Sequence, residues 1–507
     1  MVDISDKITR IMNLVEQGDY FVINRPRQFG KTTSLYMLDR LLKNSEDYFP
    51  INISFEGIGQ EGFESAPVFI NAFLFQLETL FEIPGNETLF KLLETGANLE
   101  RMDELGKWIN TLVKKVGKKV VLMIDEVDKS SNNQLFLDFL GMLRNKYLDR
   151  EKPGQFTFHS VILAGVHDVK TLKLKIRPES ETKYNSPWNI AVNFKVDMTF
   201  SPREIATMLT QYSTERTVTI DIPRFSEKLY YYTSGYPFLV SNLCKIIDEE
   251  ILPEKNREHW EPEDLEQAVQ MILKEKNTNF DSLIKNLENH EELYDFIFKL
   301  IFGDSGFVFN TDNPVINLGV LHGILKEENN RIKIHNRIYE QRIYNYLASK
   351  METSGKNIGS SVTSSYLDET GKLDIKKVLT KFQAFVKEQY GEKDRDFIER
   401  NGRLLFLAFI RPIINGRGYD FREVQVSEEK RLDVVITFDN SRYIIELKIW
   451  RGEAYHQEGI SQLCDYLERQ NETNGYLLIY DMRKEIGKSG QTEIIEAHGK
   501  HILAAYI

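Results

Sequence analysis

Short apolar runs alternate with helical periodicity over the first 200 residues. YFVIN at 20–24 is a compact apolar run, followed by a loop and then by TTSLYMLDRLLKN, whose apolar positions recur at helical spacing. YFPINISFEG at 48–57 reads as a second strand, and 67–81 and 100–115 read as helices. KKVVLMIDEVD (118–128) and FTFHSVILAGVHD (156–168) are the kind of unbroken apolar stretch that lies buried on both faces of a parallel sheet. Strands separated by helices predict an α/β sheet with crossover connections.

From about 201 the periodicity turns helical. SPREIATML begins with a serine, a proline in the first turn and a glutamate three residues after the serine, a helix-start signature. GYPFLVSNLCKIIDEEIL and EDLEQAVQMILKEK follow as amphipathic helices, and 281–350 reads as short helices plus a hairpin in HGILKEENNRIKIHN that suits the wing of a winged-helix module. The tract 351–372 is rich in Ser, Thr and Gly and reads as a linker. Beyond it the pattern is again α/β, with a helical stretch to about 410, then REVQVSEEKRLDVVITF, SRYIIELKIW, a helix around 456–470 and GYLLIYDMR. The expected organisation is a core at 1–200, a helical lid plus winged helix at 201–350, the linker 351–372 and a second α/β domain at 373–507.

Composition narrows the class without naming a function. With 507 residues, 41% hydrophobic and 28% charged, the chain holds ample apolar material for several cores. The net charge of −11 gives no global field for nucleic acid, so any such contact needs a local patch. Two cysteines, Cys244 and Cys464, support neither a disulfide framework nor a Cys-based zinc site and suit a reducing cytosol. The N-terminus lacks the apolar core of a signal peptide, and no run of about 18 apolar residues could span a bilayer. A cytoplasmic protein without a membrane partner is expected.

The loop after the first strand carries the first candidate chemistry. In Arg25-Pro26-Arg27-Gln28-Phe29-Gly30-Lys31-Thr32-Thr33, the Gly-Lys-Thr fits the end of a P-loop between strand and helix, with Arg25 at the position of the usual first glycine. Glycine lets backbone amides approach phosphate oxygens, lysine reaches the β- and γ-phosphates, and the Thr32 hydroxyl ligates Mg2+. The strand ending in Asp125-Glu126 supplies the complement: Asp125 to hold Mg2+ through water and Glu126 to polarise the attacking water. RPRQFGKTTSL, VLMIDEVD, ILAGVHD and SGYPFLVSNL together resemble the AAA-like P-loop ATPases of bacteria and archaea with RPRxFGKT-type loops. Gly-Tyr-Pro at 235–237 is similar to the G-x-P element of the related STAND ATPases. The resemblance covers 1–350 and implies ATP with Mg2+ as cofactors, Arg27–Thr33 at the nucleotide and a winged helix near 281–350. Arg177 and Arg203 are candidate arginine fingers, and His167 and Asp168 lie where a sensor residue would be.

A second constellation lies near the C-terminus. Asp433 and Glu446-Leu447-Lys448 fall on two consecutive apolar strands, and a period of two puts Glu446 and Lys448 on one face. Two nearby carboxylates repel unless they share a cation, and oxygen ligands suit Mg2+ or Mn2+. Lys448 would stabilise charge and orient the nucleophile. The set resembles the PD-(D/E)XK nuclease core over 380–507, with Leu432 in place of the family's proline. That resemblance adds Glu399, on the preceding helix, as an extra carboxylate and Gln462 as a residue facing the site. It implies a restriction-endonuclease-like α/β fold.

The combined expectation is an ATP-regulated, metal-dependent nuclease acting on nucleic acid, DNA ahead of RNA, in defence or mobile-element biology. Homo-oligomerisation is left open. The competing reading is a nucleotide-dependent switch or scaffold whose C-terminal domain binds without cutting.

Overall fold

A computed structural model of the chain describes residues 2–81, 87–127, 133–166, 188–302, 307–354, 363–389, 402–403, 405–407, 409–410, 413–414, 418–427, 430–439, 441–470, 472–481 and 490–507. For 60, 87, 302, 348, 351–354, 364, 388–389, 418–427 and 430–433 it gives the backbone alone. The chain forms two compact units, one of residues 1–290 and 309–341, the other of 291–308 and 342–507.

The first unit is built on β1 (Tyr20–Asn24), β2 (Tyr48–Ser54), β3 (Lys119–Asp125) and β4 (Ser160–Gly165), all parallel in the order β1-β4-β3-β2. Val192 adds a single parallel bridge to Phe21 on the outer edge of β1. Every residue of β4, and every residue of β3 after Lys119, is buried. That is why these segments carry unbroken apolar runs rather than alternation. The expected strands are present with trimmed ends: 55–57 is a 3-10 turn, and β4 begins only at Ser160. Helices Ala66–Phe81, Met102–Val116 and Gln134–Asp149 cover one side, where Phe55, Phe69, Phe73, Phe136 and Phe139 meet in a fully buried aromatic cluster.

Helices then dominate the unit. Pro202–Arg216 opens with the expected capping box: Ser201 Oγ accepts from the Glu204 amide at 3.2 Å, and a Glu204 carboxylate oxygen accepts from the Ser201 amide at 2.7 Å. Ile222–Thr233, Pro237–Ile246, Pro262–Lys274 and Thr278–Asn289 follow. The wing-like sequence forms an antiparallel hairpin of β5 (Leu325–Glu328) and β6 (Arg331–Ile334). Its turn residues Asn329 and Asn330 both take the left-handed region, at φ 53° and 63°, as a two-residue hairpin turn demands. The helix Arg337–Ser354 carries the chain out of this unit.

The second unit holds a mixed six-stranded sheet in the order β11-β12-β10-β9-β8-β7. These strands are β7 (Gly418–Ser427), β8 (Lys430–Phe438), β9 (Ser441–Ile449), β10 (Asn474–Tyr480), β11 (Thr492–Ala497) and β12 (Lys500–Tyr506). β7, β8 and β9 form an antiparallel meander. β9 then pairs in parallel with β10, which requires a crossover, and the helix Glu453–Arg469 supplies it. Ile460, Leu463 and Leu467 of that helix pack onto Ile444, Leu477 and Ile479 of the sheet. Cys244 and Cys464 form no disulfide. Among the described residues, no helix is long and apolar enough to cross a membrane.

Candidate functional site

β1 ends at Asn24, where the chain enters the loop 25–30, and Gly30 caps the helix Lys31–Lys43. With Arg25 at the first-glycine position, the turn is made at Gln28 (φ 58°) and Gly30 (φ 80°). Arg25 is a strut of the loop. Its guanidinium donates to the carbonyls of Asn24 at 2.9 Å and Val196 at 2.7 Å, and lies 5.1 Å from the Phe194 ring centre. Burial lowers its pKa, against the opposing charge of Asp197.

Lys31 and Asp125 are each only 6% exposed, and Thr32 stands at the open start of its helix. Thr32 Oγ1 donates to Asp125 Oδ2 at 2.6 Å, joining the first turn of the helix to the end of β3. Lys31 Nζ donates to the carbonyls of Arg25 and Pro26, both at 3.0 Å, and so folds back over its own loop. Glu126, at φ 54°, donates its amide to Asp125 Oδ1 at 2.9 Å. A hydroxyl and a carboxylate already in contact at a helix N-terminus, beside a lysine, form an all-oxygen donor pair suited to Mg2+ next to an anion. Arg27, Gln28 and Thr33 are exposed around this point.

The far side of the loop is packed in a way no local pattern announces. The Tyr236 hydroxyl donates to the Arg27 carbonyl at 2.6 Å. The Phe29 side chain is buried, edge-on to Tyr236 at 4.6 Å and to His335 at 5.8 Å, so Phe29 has only its backbone to offer a phosphate. Gly323 (φ 68°) lies against Pro26, where an added Cβ would come within 2.6 Å of the proline ring. The Tyr339 hydroxyl donates to Asn279 at 2.8 Å, and its ring is tilted against Tyr236. Burial pushes the His335 imidazole down to about 4; nearby Lys326 lowers it further, and Asp197 opposes. Tyr236, the middle residue of Gly-Tyr-Pro, was the sequence-level pointer to this cluster; His335 and Gly323 carried none.

Arg203 is exposed on the first turn of its helix. His167, Asp168 and Arg177 lie outside the described residues.

In the second unit Glu446, Lys448 and Gln462 come together. Lys448 Nζ is 3.1 Å from Glu446 Oε1 and donates to Gln462 Oε1 at 3.0 Å, while Glu446 is 4% exposed. Gln462 in turn donates to Glu458 at 3.4 Å. Val434 of β8 is paired with Ile445 of β9, and Asp433 and Glu446 stand one residue further along on each strand. The Asp433 side chain and Glu399 lie outside the described parts. Among the described residues, no three His, Cys, Asp or Glu side chains converge as a metal-ligand group.

A four-stranded parallel sheet, a Gly-Lys-Thr loop entering a helix after β1 and an aspartate at the end of β3 define the class: an AAA-like P-loop ATPase domain. The family model for an AAA-like domain matches residues 5–345, more than half of the chain, and the chain belongs to that family. Solved structures similar to it include a Walker-type ATPase of Pyrococcus abyssi, at 14% identity over 68% of this chain and 96% of that one, with a TM-score of 0.46. The ORC1 protein of Aeropyrum pernix in complex with DNA is similar at 11% identity, over 68% and 93% of the two chains, with a TM-score of 0.33. The RuvB Holliday junction branch migration motor of Thermotoga maritima is similar at 12% identity, over 67% and 94%, also with a TM-score of 0.33. No curated protein matches the chain in sequence.

Proposed function

We propose that the chain binds and hydrolyses ATP at the Lys31–Thr32–Asp125–Glu126 site and uses it to govern a metal-dependent nuclease in 373–507. In this reading 201–350 is a helical lid with a winged helix, and 351–372 is the connecting segment. The observation that carries the ATPase half is the 2.6 Å link from Thr32 to Asp125, which brings hydroxyl and carboxylate together across 93 positions of sequence. Mg2+, when bound, neutralises charge developing on the phosphates. Thr32 and Asp125 would hold it, and Glu126 would orient the attacking water. Lys31 exchanges its two carbonyl partners for phosphate oxygens, which also releases the loop backbone to face the anion. Lys31→Ala is expected to abolish nucleotide binding measured by calorimetry, and Glu126→Gln to keep binding while cutting turnover at least a hundredfold. Undiminished binding after loss of Lys31 would remove the ATPase reading.

The nuclease half is supported by a buried Glu446 ion-paired with Lys448, and by the strand register that sets Asp433 next in line. Asp433 and Glu446 would hold Mg2+ or Mn2+, which supplies an acidified water and polarises a phosphodiester. Lys448, ion-paired with Glu446 and hydrogen-bonded to Gln462, would steady the attacking water and the developing negative charge. Glu399 would add a carboxylate. Supercoiled plasmid incubated with Mg2+ or Mn2+ should be nicked by the wild type and left intact by Asp433→Ala and Lys448→Ala. Equal outcomes in all three would leave a nucleotide-dependent switch that does not cut.

A further inference from the structure

β9 leads through a short turn into the helix Glu453–Arg469, and one stripe of that helix follows the Lys448 side chain. Tyr455, Gly459 and Gln462 stand at i, i+4 and i+7, on the same helical face. Gly459 meets the lysine stem, and Gln462 and Tyr455 meet its ammonium end. A Cβ added at Gly459 would come within 3.2 Å of both Cγ and Cε of Lys448, so glycine makes room for the aliphatic stem. Gln462 accepts from Nζ at 3.0 Å, and the Tyr455 ring centre lies 5.5 Å from Nζ. Arg451, in the turn before the helix, sets its guanidinium 6.0 Å from the same ring. Tyr455 is nevertheless 38% exposed, whereas Glu446 beside the lysine is 4% exposed.

Packing of the core does not account for this arrangement. Tyr455 stays partly open to solvent, with a lysine and an arginine near its ring. Next to the proposed phosphodiester site it gains a purpose. Rings stack on nucleobases regardless of their identity, and flanking cations attract the phosphates on either side. Within a duplex both faces of each base are already covered by neighbours, so such a ring finds a partner only on an unpaired base or a strand end.

We propose that Tyr455, with Arg451, forms a stacking platform at the mouth of the Glu446–Lys448 site and selects single-stranded nucleic acid, or unpaired ends, as its substrate. The proposal rests on reading this cluster as a nucleic-acid site. The cleavage chemistry belongs to the neighbouring residues, and Tyr455 positions the strand.

The test uses the full chain with a fluorescent single-stranded oligonucleotide and a closed circular duplex carrying the same sequence, in EDTA, so that the duplex has no ends and no metal-dependent cutting intervenes. Tyr455→Ala should weaken single-strand binding about tenfold, Tyr455→Trp should retain it, and duplex binding should be the same for wild type and variant. An unchanged calorimetric unfolding transition of the unit that contains 342–507 checks that the variants are folded. With metal added, Tyr455→Ala should raise KM for the single strand and leave kcat near wild type. No loss of single-strand binding, an equal loss on both substrates, or a wild type that binds no single strand would overturn the platform. If the wild type cuts nucleic acid while Tyr455→Ala binds single strands normally, the platform fails and the nuclease reading stands. If Tyr455→Ala loses single-strand binding in a chain that cuts nothing, the platform stands and the nuclease reading fails.

Discussion

His335 is a basic side chain kept neutral by its surroundings. It is enclosed by Phe29 and Tyr236, with Asn336 Nδ2 at 3.5 Å from its Nδ1, and its folded pKa is about 4. In the unfolded chain an imidazole takes up its proton near 6.5. Between these values the unfolded state binds more protons, so stability is complete above about 6.5 and is lost as pH falls toward 4. The span corresponds to an upper bound of about 3–4 kcal/mol. Denaturant unfolding of the wild type should therefore show a lower midpoint at pH 5 than at pH 7. His335→Gln should flatten that part of the difference, and an identical pH response in both proteins would show that the imidazole is not held neutral. Arg25 teaches the complementary lesson about single residues: a charge in a phosphate-binding loop is spent on the loop's own carbonyls, so its value is architectural.

At the level of elements, the P-loop is held between the sheet and the helical part of its unit. Gly235 shows how tightly. At φ 70° its carbonyl accepts from the Phe200 amide at 2.7 Å, and an added Cβ would fall 2.0 Å from the Phe200 carbonyl oxygen, a backbone atom with no freedom to swing aside. Gly235→Ala combines that overlap with a strained left-handed conformation and should destabilise the protein by about 3 kcal/mol or more in chemical denaturation. A loss below about 1 kcal/mol would mean that the junction yields. The next residue, Tyr236, reaches the Arg27 carbonyl. The Gly-Tyr-Pro sequence thus acts as a brace: the glycine allows close backbone approach, the tyrosine holds the loop, and the proline starts a helix.

For the whole molecule, two compact units and the proposed nucleotide site make a definite calorimetric expectation. A ligand that binds only the folded state at a hundred times its Kd stabilises that state by about 2.7 kcal/mol. Saturating ATP analogue with Mg2+ should therefore raise the unfolding transition that contains the P-loop. Lys31→Ala should abolish the shift, while Asp433→Ala should keep it. A shift that persists in Lys31→Ala would place the nucleotide elsewhere.

Several features could be read from the amino-acid order because they are local. Apolar runs marked β1 to β4, β9 and β10, Ser201 and Glu204 announced a helix start, and Gly30-Lys31-Thr32 after a strand pointed to a phosphate loop. REVQVSEEKRLDVVITF holds no glycine, asparagine or proline to mark a break, yet it contributes to two antiparallel strands, β7 and β8. β11 and β12 escaped for another reason: TEIIEA alternates between half-buried and exposed positions at a sheet edge, and KHILAAY is short and alanine-rich. The contacts that give the two sites their character run between elements. The link between Thr32 and Asp125, the cover of Tyr236, Gly323 and His335 on the loop, and the stripe of Tyr455, Gly459 and Gln462 along Lys448 join residues on different elements. Periodicity says which side of a helix or strand is apolar. Which side chain from elsewhere fills the space against it is settled only when the elements pack, since that choice depends on shape and distance in three dimensions.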